Sequence, residues 1–447
     1  MVFVLVGLVA LGVVGAAHWY LWRRLVRDTT SEGSPWRRVG AAAFVALPLA
    51  MIAAQVSARS DLPFVLKQTL AWPGFLWAAL LLYLLLALAV AELVRPVLLR
   101  VLARRAAARE AEGASRPADD RAEGDAAARP VPAAAPAGVA AAEHPAPPSA
   151  DAPAAEGPDR APEAPAPAAG LHLPSRRLFV SRVVGGAAAL AAAGTVAYGT
   201  SNVLSGPTVK RVTVPLAKLP RSAHGYRIAV VSDIHLGPVL GRAHTQRIVD
   251  TINATGPDLV AVVGDLVDGT VADLGTAAEP LAGLRARHGS FFVTGNHEYY
   301  SGVEEWVDHV RELGLRPLRN ERVEIPGFDL AGVNDVSGED HGDAPDYGRA
   351  LGDRDPGRAS VLLAHQPVMI HEAVEHGVDL QLSGHTHGGQ MWPLNYVAAA
   401  ANPTLEGLDR YGDTQLYVTR GAGAWGPPVR VGAPADITVV QLASRQA

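Results

Sequence analysis

Cysteine is absent from all 447 residues. Disulfides, thiolate zinc sites and cysteine nucleophiles are therefore excluded, and any metal must be held by His, Asp, Asn or Glu. An excess of positive charge is missing as well. The net charge is −5 at pH 7, so no global basic field favours nucleic acid, and no nucleic-acid partner is expected. Charge is also scarce in the long apolar runs of the first hundred residues, where only Glu92, near the end of one run, is charged; nothing there suggests a transport path. Apolar periodicity is missing from Ala106–Pro174, which is dominated by Ala, Pro and acidic residues. Such a segment cannot bury a core and is expected to be a disordered, extended tether.

Apolar runs are what the N-terminal part does have: Val2–Ala17, Val39–Val56 and Trp72–Val94. About 20 apolar residues cross a bilayer core, and the third run meets that length most clearly. Trp19, Trp22, Trp36, Trp72 and Trp77 lie near the ends of the runs, as interfacial aromatics do. Arg23, Arg24, Arg27, Arg37 and Arg38 crowd the first loop, whereas the second has only Arg59 and Lys67; Arg95, Arg100, Arg104 and Arg105 come after the third run. The positive-inside rule then places the first loop and the post-Val94 segment in the cytoplasm and the N-terminus outside.

After the tether, basic Arg176, Arg177 and Arg182 precede a milder apolar stretch, Val183–Tyr198, read as a fourth span running from inside to outside. Ser175–Val180 resembles a twin-arginine export signal, although such signals normally stand at an N-terminus. An ordinary basic flank accounts for the same residues. Both readings put the C-terminal domain outside the cell membrane. The expected organisation is a three-span region over 1–105, a tether over 106–174, a basic flank and fourth span over 175–204, and a folded domain over 205–447.

In that last domain short β-rich runs alternate with helical stretches. "YRIAVVSDIHLG", "DLVAVVGDLVDG", "GSFFVTGNHEYY", "ASVLLAHQP" and "VDLQLSGHTHGG" each read as a buried strand ending in polar residues. Continuous apolar runs suggest strands covered on both faces, hence an α/β sandwich with helices outside. Asp233 and His235 come after the first of these strands, Asp265 and Asp268 after the second, Asn296 and His297 after the third, His365 after the fourth, and His385 and His387 after the fifth. Each pair alone has a local explanation as a turn or cap. Together they place metal-ligand chemistry at five strand carboxyl ends, where ligand sites of α/β sheets form. Around His385 and His387 the glycines suggest a turning backbone, which would let each imidazole aim at a different ion.

The order DxH, GDxxD, GNHE, H, GHxH resembles the calcineurin-like metallophosphoesterase superfamily, over most of Arg227–Leu442. "GHTHGGQMWP" and "LYVTRGAGAWGPPVRVGAPADITVVQL" look like its YkuE/YaeI branch of membrane-linked phosphoesterases, which includes twin-arginine-exported members. The resemblance implies a four-layer αββα sandwich with two divalent ions, Mn, Fe or Zn by ligand type. It implies that Asp233, His235 and His387 hold one ion, that Asn296, His365 and His385 hold the other, and that Asp265 bridges. His297 is then the general acid, Asp268 its orienting partner or a solvated turn residue, and metal-bound hydroxide the nucleophile on a phosphate ester.

Gly269 stands where protein phosphatases of this superfamily carry an arginine that grips phosphate, which counts against a phosphoprotein. Arg242 and Arg430 are candidate anion contacts, with surface arginines the plainer reading of both; His341 is expected to be exposed. A membrane-anchored, extracytoplasmic site points to lipid- or cell-wall-linked phosphodiesters. The alternatives are a phosphomonoesterase with the same residues and a catalytically idle membrane scaffold. Oligomeric state is unreadable.

Overall fold

The computed structural model describes residues 2–58, 60, 62–114 and 176–446. Two compact units emerge, one formed by Met1–Glu92 with Arg182–Ala447 and the other by Leu93–Ser181. The apolar runs are helices: α1 (Val2–Trp22), α2 (Pro35–Ala58), α3 (Phe64–Ala114) and α4 (Arg176–Leu204). α2, α3 over Phe64–Ala111, and α4 are long and apolar enough to cross a bilayer. Helix α3 continues past its basic flank into the segment expected to be a tether; residues 115–174 of that segment, and Ser175 of the twin-arginine stretch, lie outside the described residues. In the smaller unit the Arg95 guanidinium donates to the Ser181 hydroxyl at 3.3 Å.

In the larger unit the helices pack through small residues. Ala188, Ala192 and Val196 of α4 are buried with Trp77, Tyr83, Leu84 and Leu88 of α3 and Leu21 of α1. Small side chains let helix backbones approach closely, which is how apolar helices associate when lipid competes for their surfaces. Met391 and Val429, from the far end of the chain, belong to the same core. The folded domain therefore packs against the helices directly.

That domain is built on two six-stranded sheets. The first has the order β1 (Thr208–Leu216), β12 (Asp436–Ser444), β2 (Arg227–Val231), β3 (Leu259–Val263), β4 (Ser290–Val293), β5 (Arg316–Pro317). The second runs β10 (Gly407–Tyr411), β11 (Thr414–Val418), β9 (Leu380–Ser383), β8 (Ala359–Leu363), β7 (Phe328–Gly332), β6 (Glu321–Ile325). Side chains alternate across each strand. Ile228, Val230, Ala261 and Val263 therefore face the core shared with Val361, Leu363, Leu380 and Leu382 of the other sheet. Their neighbours Ala229, Val231, Val260 and Val262 bury instead under α5 (Arg242–Ala254), α6 (Val271–Ala278) and α8 (Val303–Glu312). Ala331, Leu362 and Leu416 do the same under α9 (Tyr347–Leu351) and α10 (Ile370–Glu375). The result is the expected four layers, helix, sheet, sheet and helix. Each fully buried Val, Leu or Ile contributes about 1.5–3 kcal/mol relative to exposure, which is why uninterrupted apolar runs form the two-sided strands.

The active ends are set by register. β2, β3 and β4 are parallel, with Val231 opposite Val262 and Val263 opposite Val293. β8 and β9 are parallel with Leu363 opposite Leu382. Level strand ends bring the residues just beyond them onto one edge of the sandwich.

Candidate metal centre

Beyond those strand ends the backbone turns sharply. Asp233, His235, Asp265, His385 and His387 all have left-handed φ, between 48° and 73°; among the described residues only Asn320 and Gln390 share it without being glycine. Each such residue costs of order 1–3 kcal/mol, and strain of this kind collects at functional sites. The turns are held by ladders that outlast the strands. Asp233 N–H donates to Gly264 O at 3.1 Å, His235 N–H to Asp265 O at 3.2 Å, and Gly384 N–H to His365 O at 2.9 Å. Gly384 is required by space, since a Cβ there would collide with Ser232 and Asp233.

All seven expected metal-ligand residues converge. Ligand atoms of Asp233, His235 and His387 lie within 4.8 Å of one another, as do those of Asp265, His365 and His385. His235 Nε2 is 3.0 Å from His387 Nε2, and His387 Nε2 is 3.3 Å from an Asp233 carboxylate oxygen. His385 Nδ1 is 3.1 Å from Asn296 Oδ1. The Asp265 carboxylate stands between the groups: its Oδ2 is 3.1 Å from His365 Nε2 and 3.8 Å from His235 Nε2.

Outer partners fix which nitrogens face inward. The Nδ1–H of His365 donates to Val263 O at 2.8 Å, leaving Nε2 buried and without a hydrogen-bond partner. The Nδ1–H of His235 donates to Asp268 at 2.8 Å. The His365 Nε2 lone pair thus points at Asp265, another acceptor, and that of His235 faces His387 Nε2. Acceptors gathered around acceptors in a buried pocket need a cation, and the oxygen and imidazole donor set suits a hard or borderline divalent ion. The residues fit a metal. Asp265 draws positive charge to this point: burial disfavours a charged His365, yet the Asp265 carboxylate holds its proton affinity well above the usual range. His387 is pushed well below it by burial and by His235, despite the Asp233 carboxylate 3.3 Å away.

Asp268 is no solvated turn residue. One of its oxygens lies 2.8 Å from His235 Nδ1 and 2.7 Å from His297 Nδ1. Burial raises its pKa, but both histidines outweigh burial and bring it down to about 2. It therefore accepts from a ligand histidine and from the histidine at the rim, where Tyr300 and Trp425 meet the His297 ring edge-on.

Arg430 corrects the sequence reading: it is neither on the surface nor free for a substrate anion. It is fully buried and donates to the carbonyls of Gly423, His387, Ala433 and Arg420, with Nη2 3.1 Å from His387 Nδ1. Arg242 is exposed and paired with Glu279, and His341 is exposed. A residue to which sequence reading gave no role is Glu298. Completely buried, it accepts from the N–H groups of Gly295 at 2.6 Å, Leu266 at 2.8 Å and Asp265 at 3.0 Å. Its pKa is raised by burial and by the neighbouring Asp265 charge. The detectable signal was its spacing: an acid three residues after Gly295, the N-cap of α7 (Asn296–Ser301), completes half of a capping box.

Comparison with known proteins agrees with this geometry. The family model of calcineurin-like phosphoesterases matches residues 226–389. A transmembrane protein with metallophosphoesterase domain from Danio rerio is 39% identical over 259 residues, 55% of this chain and 59% of that protein. An uncharacterized metallophosphoesterase of Helicobacter pylori is 38% identical over 60% of this chain and 73% of its own length. The uncharacterized metallophosphoesterase YkuE of Bacillus subtilis is 30% identical over 60% of this chain and 98% of its own. The chain thus spans less than two thirds of the Danio rerio relative but nearly all of YkuE. With site and relatives in accord, the chain belongs to the calcineurin-like metallophosphoesterase family.

Proposed function

We propose that this chain is a membrane-anchored hydrolase of phosphate esters, with phosphodiesters as its preferred substrates. The observation that carries the reading is the position of Asp265, one carboxylate within reach of ligand nitrogens from both groups. We assign Asp233, His235 and His387 to one divalent ion, Asn296, His365 and His385 to a second, and Asp265 to both. When bound, such a pair supplies Lewis-acid charge to the phosphoryl oxygens and an activated water. The protein's own residues orient the rest. Asp268 holds the His297 ring through Nδ1, which leaves the opposite nitrogen free to deliver a proton to the leaving oxygen. The half-exposed Trp425 and the exposed Tyr300 beside His297 suit an organic alcohol as leaving group. Gly269, in place of a phosphate-gripping arginine, supports a substrate other than a phosphoprotein.

In the same reading the four apolar helices are spans, residues 106–174 link the third to the fourth, and the folded domain from 205 lies outside the cell membrane. Arg176 and Arg177 serve as an export signal or basic flank. The substrate is then a lipid-linked or cell-wall-linked phosphodiester.

The test uses the full chain in detergent with Mn²⁺, comparing bis-nitrophenyl phosphate with the monoester for wild type and Asp265→Asn. The expected result is faster diester cleavage that needs metal and falls by about a thousandfold or more in the variant, the scale of losing one electrostatic contributor of a site. Monoester preference overturns the diesterase assignment. A folded protein that binds no metal overturns the enzyme.

A further inference from the structure

Next to the metal centre the folded domain carries a stretch of surface without charge. From Gly388 through Leu405, between His387 and Glu406, the sequence has no Asp, Glu, Lys, Arg or His. Within it Trp392, Leu394, Tyr396 and Val397 are exposed, the last two each at 67%. The short helix α11 (Asn395–Ala401) buries none of its residues. Single exposed apolar side chains are ordinary, but a contiguous uncharged group of them marks a surface that meets a partner.

The place of this surface says which partner. Gly389, two residues beyond His387, leaves no room for a Cβ against Asn395, so the start of α11 is seated on the ligand loop itself. Met391 packs in the core of α3 and α4, together with Ala192 and Val196. The Trp392 N–H donates to Val431 O at 2.9 Å, and the Arg430 N–H donates to Gly199 O at 3.0 Å. The uncharged surface therefore stands beside the end of the apolar stretch Val183–Tyr198 of α4, whose Leu190 and Tyr198 are themselves exposed. If α4 spans a bilayer, this is the level at which lipid gives way to water, and Trp and Tyr collect at that level. The same surface adjoins the mouth of the metal centre. The Gln390 side chain accepts from the Trp425 N–H at 2.9 Å and donates to the Trp425 carbonyl at 3.0 Å. The Trp425 ring in turn meets that of His297, with centroids 5.8 Å apart.

We propose that Trp392–Ala401 docks on the lipid bilayer beside α4 and holds the mouth of the metal centre at the membrane surface. The bilayer is favoured over a second copy of the chain because the surface continues the exposed apolar side of α4, and burying it in lipid desolvates no charge. The proposal rests on the reading of α4 as a span. It adds to that reading a route for the substrate: a lipid phosphodiester reaches His297 from the plane of the bilayer without leaving it.

The absence of cysteine makes the test direct, since one introduced thiol carries one label. Val397→Cys, Leu190→Cys and Asp413→Cys are each labelled with an environment-sensitive fluorophore, in the full chain in phosphatidylcholine nanodiscs, and each is checked for an unchanged thermal midpoint. Asp413 is the control: it lies in the turn between β10 and β11, and β11 runs parallel to β9, so that turn is at the edge of the sandwich opposite the ligands. Lipids bearing a nitroxide near the headgroup or near the chain end serve as quenchers. With the nitroxide near the headgroup the Val397 label should lose about half its emission, since interfacial segments sit about 5–10 Å into the headgroup and acyl boundary. The nitroxide near the chain end should quench the Leu190 label more strongly than the Val397 label, and the Asp413 label should respond to neither. A Val397 label quenched no more than that of Asp413, with Leu190 still quenched, overturns the docking and leaves the span in place. So does a Val397→Cys protein that oxidises to a disulfide-linked dimer and whose label lipid does not quench, which would give the surface to a second copy. An unquenched Leu190 label overturns the proposal through the span instead. None of these readouts involves hydrolysis, so the diesterase assignment stands or falls separately.

Discussion

The candidate ligands are supported from two sides. Asn296, His365, His385 and the shared Asp265 are held from inside the sandwich, by the Val263 carbonyl behind His365 and by Glu298 beneath the Asp265 turn. Asp233 and His235 share that sheet-side support through the Gly264 and Asp265 carbonyls and Asp268, and His387 leans on the other side. His387 is backed by Arg430, whose own backbone N–H donates to Gly199 O of α4 at 3.0 Å and whose carbonyl accepts from Asn202 at 3.2 Å. Most of the site is thus complete within the sheet domain, while His387 is finished against an apolar helix. The difference teaches that the apolar helix next to the domain is part of the site's support.

The largest effects should come from removing each support. Glu298→Ala leaves three buried N–H groups without an acceptor, and Arg430→Met takes the guanidinium donor from the carbonyls of Gly423, Ala433 and Arg420, while the His387 carbonyl keeps the Gln390 N–H; unsatisfied groups of this kind cost about 1–3 kcal/mol each. Both variants should lose at least ~3 kcal/mol of stability. They should differ in metal binding, read by calorimetric titration with Mn²⁺: under the two-ion reading, Arg430→Met weakens the ion of Asp233, His235 and His387, and Glu298→Ala weakens the other. If both variants lose both ions together, the division into two supports is wrong.

The part of the site that rests on the sheets was legible, and its outer support was less so. Strand β3, and β2 beyond Arg227, are unbroken apolar runs; β8 and β9 are buried on both faces as well, though Ser360, Gln381 and Ser383 interrupt them, and the polar residues after all four could only fall at one edge. Even the turn at His385–His387 could be anticipated from its glycines. Arg430 could not. Nothing in "WGPPVR" distinguishes a guanidinium that collects four loop carbonyls from one in solvent, because its partners Gly423, His387, Ala433 and Arg420 meet only after the C-terminal loop packs on α4. Strands β1, β6 and β10 were equally hidden. Each is an outer strand of its sheet, and β6 and β10 carry mostly exposed or half-exposed residues, so their sequences lack the apolar signal that burial imposes. The left-handed φ of five candidate ligand residues is likewise invisible in sequence, since it arises from closing the loops around one point.

A middle-sized effect is expected from crowding the helix side alone. A Cβ at Gly199 would stand 2.5 Å from Val429 Cγ1 and 2.9 Å from Val431 Cγ2. Gly199→Val should therefore cost about 1–3 kcal/mol by overpacking, and it should displace the Arg430 backbone that bonds to residue 199. The informative readout is again the metal titration. Weakened binding at one ion, with the other unchanged, supports a path from α4 through Arg430 to His387. A lowered melting temperature with both ions intact would reduce α4 to a packing neighbour.

The smallest effect should come from cutting the remaining polar link between helices and domain. Lys67, near the start of α3, donates to Asp273 in the first turn of α6 at 2.9 Å, with both side chains partly buried. Asp273 already interacts favourably with the N-terminal end of its own helix, whose cap is the Thr270 side chain. Lys67→Ala should therefore cost no more than ~1 kcal/mol, the usual limit for an ion pair with access to water. Because α6 bears none of the ligands and leads away from Asp268, metal affinity and hydrolysis should stay within twofold of wild type. Asp273→Ala should cost more than Lys67→Ala, since it removes the helix-terminal charge as well as the pair. A Lys67→Ala protein that loses metal as Gly199→Val does would mean that any contact with the helices tunes the site, and the special position of Arg430 would fall.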